Sequence, residues 1–143
     1  QRLLAGPLGP LLVRFTGEAR FKASLRRICA RHWPPGEFEA AWQGVLVQGG
    51  RAVMPKLLGY IAERRRRRER WVGALQQADV PLALINGLED PISGRSIVAR
   101  WRELLPDSPV HELPGVGHYP HLEAPEAVLA ALTTILPGSP DMR

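Results

Sequence analysis

Apolar positions recur along this chain at two different spacings, and the change falls near residue 75. Phe38, Trp42, Val45 and Leu46 repeat at the helical interval, as do Val53, Leu57, Leu58 and Ile61, so the first half reads as all-helical. Pro34-Pro35 marks the entry to the first of these helices. Gly49-Gly50 separates it from the second, which the pattern carries through the following arginines to about Gln77. Phe15–Arg31 is a weaker amphipathic segment, and Gln1–Pro10, rich in Leu, Gly and Pro, receives no assignment.

After residue 79 the order becomes strand, loop, helix, strand, loop, helix. Pro81–Asn86 is a short apolar run closed by Gly87, the pattern of a strand buried on both faces. Ile97, Val98, Trp101, Leu104 and Leu105 then form one helical stripe that ends at Pro106. Val110–Leu113 is a second strand, ended by Pro114-Gly-Val-Gly117. Val128, Leu129, Leu132, Ile135 and Leu136 repeat the stripe, with Pro125 near the first turn and Pro137-Gly138 after the last. The predicted fold class is therefore α/β. A helical segment (1–75) precedes a βαβα unit (76–138), and residues 139–143 are read as a frayed tail.

Two strands joined through a helix lie parallel, so their carboxyl ends share one sheet edge. Ligands of open parallel sheets bind at that edge. The loops leaving it are Gly87–Gly94 and Pro114–Glu123, which carry Asp90 and His118. Two parallel strands cannot cover their own faces and edges, so the reading requires further strands from elsewhere in the protein.

Composition narrows the class without changing it. Hydrophobic residues make up 45% and charged residues 23% of 143, as in an ordinary globular domain. The net charge of +5 equals the run Arg64–Arg68, so the basicity is local. Such a run can meet a phosphate-rich partner. The plainer reading is a wet helix face paired with Glu63 and Glu69, and no aromatic residues interleave it as a single-strand-binding groove requires. No nucleic-acid partner is expected. The first residue is Gln1, so the natural start is expected to lie upstream. No apolar run is long enough to span a bilayer, and a cytoplasmic location is the expectation. Cys29 is the single cysteine, which excludes an intrachain disulfide, and its helical surroundings suggest a buried, inert thiol.

The chemistry converges on the two loops. In Gly87-Leu-Glu-Asp90-Pro, a carboxylate at a strand's end can accept a hydrogen bond from an imidazole. In Gly115-Val-Gly117-His118-Tyr-Pro120-His-Leu-Glu123-Ala-Pro125, two glycines allow a sharp turn that presents His118 at the sheet edge. A carboxylate that holds one imidazole nitrogen leaves the other to take a proton. Glu89 is a rival for the acid. Glu123 reads as a structural carboxylate whose charge meets the positive end of the last helix. His111 reads as an outward strand position and His121 as incidental. No Cys/His spacing suits zinc and no glycine-rich loop opens a helix after a strand, so neither a metal nor another cofactor is expected.

Gly87-x-x-Asp90, followed 28 residues after that aspartate by Gly117-His118-x-Pro120-x-x-Glu123-x-Pro125, resembles the close of the α/β-hydrolase fold, in the subgroup of haloalkane dehalogenases, epoxide hydrolases and many esterases. The resemblance covers residues 79–136. It implies the C-terminal part of an α/β-hydrolase sheet preceded by a helical cap, with Asp90 favoured as the acid and His118 as the base of a triad. The family's chain order is nucleophile, acid, histidine, and its elbow G-x-S-x-G, or the aspartate version, does not occur in this sequence. The implied protein is thus a hydrolase whose N-terminal core supplies the nucleophile, acting on a small uncharged ester-like substrate. A haloalkane dehalogenase, or a non-catalytic binding piece working through Arg64–Arg68, are the alternatives. Trp33–Leu75, and Arg70-Trp-Val-Gly-Ala-Leu75 above all, is similar to the mesoderm-specific transcript family of α/β-hydrolases. Of the cap aromatics, Trp42 and Tyr60, with Tyr119 beside the histidine, are candidate substrate-binding residues, with helix packing as the competing role. Epoxide hydrolases of this subgroup use two cap tyrosines. Tyr60 is the one tyrosine outside the His118 loop, which disfavours epoxide chemistry.

Overall fold

The structure, a computed structural model, describes residues 17–136; the readings made for Gln1–Pro10, Pro137-Gly138 and the tail fall outside them. Those residues form two units. One comprises residues 17–25 and Pro35–Gln77, the other Arg26–Pro34 and Ala78 onward. The division differs from a single boundary at 75, because Arg26–Pro34 leaves the helical half and joins the strands. Its backbone hydrogen-bonds to the His118 loop, a long-range pairing that leaves no periodic trace in the sequence.

Every element of the first unit is helical. They are α1 (Glu18–Arg26), α2 (Glu37–Leu46), a 3-10 segment (Val47–Ala52), α3 (Met54–Leu57), α4 (Tyr60–Arg66) and α5 (Arg68–Gln76). Trp42 on α2 is buried. Its ring meets Phe21 of α1 at 5.4 Å between centroids, and the Arg51 guanidinium lies 5.7 Å from its centroid. Lys22 ties α1 to α2 by bridging Glu18 at 2.5 Å and Glu39 at 2.6 Å. Gly49 takes φ 72° in the turn after α2, where a glycine carries no steric penalty.

The expected single helix from Val53 to Gln77 is broken into three. Gly59 separates α3 from α4, and Arg67, at φ −108° and ψ 17°, separates α4 from α5. Like charges at helical spacing repel, and the arginine run has few counter-charges to relieve this. Glu63 engages both Arg66 and Arg67, the latter at 2.8 Å. That is the local pairing expected of a wet helix face.

The second unit holds β1 (Leu84–Gly87), α6 (Gly94–Leu104), β2 (Val110–Leu113), α7 (Pro120–Glu123) and α8 (Pro125–Ile135). The strands are parallel, with Leu84 opposite Val110 and Gly87 opposite Leu113. β1 begins later than the apolar run because Pro81 has no N–H and the Leu82 carbonyl accepts from Ser108 Oγ at 2.6 Å instead. Val98 of α6 packs inward at 3% exposure. The expected burial of β1 on both faces is not met: Leu84, Ile85 and Asn86 are half-buried, since two strands are the whole sheet among the described residues. His111 does not face outward from β2 either. Its Nε2 lies 3.4 Å from Thr134 Oγ1 of α8. No helix among the described residues is long and apolar enough to cross a membrane.

Candidate active site

The carboxyl ends of β1 and β2 are stitched together where their loops depart. Leu88 N–H donates to Leu113 O at 3.1 Å and Glu89 N–H to Val116 O at 2.9 Å. The approach is close enough that a Cβ on Gly87 would lie 2.2 Å from Gly117 O, so β1 must end in glycine. Gly115 turns the second loop at φ 68°, in the left-handed region that favours glycine.

This stitching brings Asp90 and His118 together. His118 Nδ1 lies 2.8 Å from Asp90 Oδ2. An ionised carboxylate only accepts, so Nδ1 carries the proton it donates. Nε2 then bears the lone pair, and no hydrogen-bond partner takes it among the described residues. Ile92 N–H donates to Asp90 Oδ1 at 2.8 Å, and Ser93 Oγ donates to Oδ2. Asp90 is 8% exposed, and burial alone would raise its pKa. The hydrogen bonds from Ser93, His118 and Ile92 outweigh that and hold the carboxyl below its usual range. It stays ionised at neutral pH and keeps the imidazole in one tautomer. Glu89, the rival acid, instead pairs with Arg95 at the surface, 3.1 Å away.

Tyr119 stands edge-on to His118 at 4.9 Å and to Trp33 at 5.0 Å between centroids. Burial first, then the nearby Cys29 and Asp90 groups, push its phenol pKa up, so it remains a neutral hydrogen-bonding group. The other two aromatic candidates lie in the helical unit. Trp42 is packed against Phe21, the competing role, and Tyr60 is 51% exposed. His121 also stands edge-on to Tyr119, at 6.1 Å.

Ser93, and the partners of the structural carboxylate Glu123, escaped sequence reasoning. Ser93 lies three residues after Asp90, and that Asp-x-x-Ser spacing was a readable turn signal. Glu123 does not spend its charge on the start of α8 as expected. It is 6% exposed and accepts backbone N–H groups from Ala30 at 2.8 Å, Arg31 and Gly117 at 2.9 Å, and Tyr119 at 3.1 Å. Burial alone would raise its pKa as well, but these four donors together hold it low. Ala30 and Arg31 lie more than ninety positions away, and no local pattern announces them.

Cys29 is near this carboxylate. Burial, then the Glu123 charge, push its thiol up to about 11, although Cys29 lies beyond the end of α1 and is half-buried rather than buried as expected. Because the thiolate is the reactive form, iodoacetamide at pH 8 should alkylate Cys29 roughly 100-fold more slowly than an ordinary exposed thiol. Labelling at the ordinary rate would show that the thiol is not held in this environment.

An ionised carboxylate, an imidazole with an available Nε2 and a neutral phenol can accept and return a proton at the carboxyl edge of a parallel sheet. Residues 2–131 match the alpha/beta hydrolase family. Over 138 residues the chain is 36% identical to the Mycobacterium tuberculosis protein LipZ, whose given name places it among hydrolases, covering 95% of this chain and 48% of that protein. It is 35% identical over 137 residues to the mesoderm-specific transcript homolog proteins of Bos taurus and Homo sapiens, covering 92% of this chain and 41% of each. The chain thus spans less than half the length of these relatives, and its paired strands, loops and closing helix are the C-terminal part of their common fold: it belongs to the α/β-hydrolase family.

Proposed function

We propose that this chain carries the proton-handling half of a hydrolase that attacks a small, uncharged, ester-like substrate through a nucleophile supplied by the rest of the protein. His118 Nε2 takes the nucleophile's proton and returns it to the leaving group. Asp90 orients the ring and stabilises the imidazolium that forms. The observation that carries this reading is the 2.8 Å contact between His118 Nδ1 and Asp90 Oδ2, which leaves Nε2 for the reaction. The nucleophile and the oxyanion donors are assigned to the remaining part of the catalytic core, because G-x-S-x-G does not occur in these residues. Tyr119, neutral and beside the imidazole, is assigned to the wall of the substrate site.

The test uses the complete protein and a panel of p-nitrophenyl esters of short uncharged acids, with haloalkanes and an anionic ester alongside. Turnover of the uncharged esters, with the anionic ester and the haloalkanes left intact, is expected. Halide release without ester cleavage would overturn the ester assignment. No turnover anywhere on the panel would overturn the hydrolase reading itself.

A further inference from the structure

We propose that Glu123 is a positioning residue for His118, fixing the histidine's backbone from both sides by anchoring it to the segment Ile28–Arg31. This inference rests on the reading of His118 as the proton acceptor. The backbone N–H groups of Gly117, His118 and Tyr119 are all captured by one small construction. Gly117 and Tyr119 donate to the Glu123 carboxylate at 2.9 and 3.1 Å, and His118 between them donates to Ile28 O at 3.0 Å. The Ile28 strap does not float. Two residues later Ala30, and then Arg31, donate to the same Glu123 Oε2, and Arg31 Nε reaches back to Gly115 O at 2.8 Å. The carboxylate is therefore the common anchor of the strap and of the loop that presents the imidazole.

The residue type follows from acceptor capacity. Four N–H donors need a group with two oxygens and no proton of its own, which an ionised carboxylate supplies. Glutamine offers one oxygen and turns an NH2 group toward a donor. Aspartate keeps both oxygens but is one methylene shorter. Distance leaves no slack, because a Cβ on Gly117 would stand 2.5 Å from Ala30 N and 2.9 Å from Glu123 Oε1. A shift of the loop by about 1 Å would carry the ring off Asp90, and misplacements of that size cost on the order of 10² in rate.

In the complete protein, Glu123→Gln is expected to lower kcat about 10²-fold with KM changed less than about twofold. The downfield proton resonance of the His118 Nδ1–H···Asp90 hydrogen bond should broaden or move upfield. Glu123→Asp should recover part of both. Val98→Ala, which opens a cavity under α6 without removing any of these hydrogen bonds, should lower Tm while keeping kcat and the resonance, and so separates positioning from general weakening. Wild-type kcat and an unshifted resonance in Glu123→Gln would overturn the proposal. Failure of both Glu123 variants to fold would overturn it too, by making the residue one of folding. If the wild-type protein cleaves no ester, the functional reading fails, while the resonance still reports on Glu123.

Discussion

Replacing His118 by alanine in the complete protein should lower kcat/KM toward an uncharged ester by at least about 10³-fold while leaving Tm nearly unchanged. The stability half follows from packing. The ring is part-exposed at the sheet edge, its side chain at 30%, and the loop that carries it is held by backbone bonds through Gly117, His118 N–H and Tyr119 rather than by the imidazole. The rate half follows from what no neighbour can replace. Among the described residues, His111 is engaged with Thr134 of α8 and His121 sits beyond Tyr119. Neither contacts Asp90. Asp90→Asn should cost about 10⁴ in kcat, because an amide that presents its NH2 to Nδ1 selects the wrong tautomer. Steady-state kinetics with a parallel melt decide the matter. Retained turnover in His118→Ala would remove the residue from the mechanism, and a collapse of Tm would make its role structural.

The parts of this site that could be read beforehand are those carried by short, contiguous segments. Val110–Leu113 is the short strand expected before Pro114-Gly-Val-Gly117. The Gly87 and Gly117 loops bring together the two side chains whose chemistry suggested a pair, because a parallel register aligns strand ends whatever lies between. Elements that depend on distant partners were not legible. The strap Ile28–Arg31 looks like the end of an amphipathic helix. It becomes part of the site only because a carboxylate more than ninety positions later holds two of its N–H groups. The arginine run was read as the middle of one helix from composition and period. Periodicity reports where apolar faces fall but not the mutual repulsion of neighbouring cations, and the chain leaves helical geometry at Arg67. The burial of β1 was overestimated for a related reason. An apolar run signals what a strand faces in the whole sheet, and the described sheet has two strands.

Gly87→Ala should be the most disruptive single methyl group that can be added to this half of the fold. A Cβ at that position meets Gly117 O at 2.2 Å, Val116 O at 2.6 Å and Val116 C at 2.9 Å. All three are backbone atoms, so no side-chain rotation relieves the clash. Retreat of the second loop is blocked in turn. Gly117 N–H is fixed on Glu123 at 2.9 Å, Val116 is 1% exposed, and Glu89 N–H is bonded to Val116 O. The strand ends must therefore separate, breaking the stitching that holds Asp90 against His118. Overpacking of this kind costs about 3 kcal/mol or more, a fall in Tm of roughly 10 °C, and activity should fall with it. Gly73→Ala is the matched control. It lies within α5 with no atom within 4 Å of the added Cβ, so helix propensity should make it stabilising by about 0.5 to 1 kcal/mol. A Gly87→Ala protein that melts at the wild-type temperature would mean that the two loops do not approach as closely as β1 and β2 require. The pairing of Asp90 with His118 would then lose its structural basis, since both side chains are carried by loops that this one glycine allows to meet.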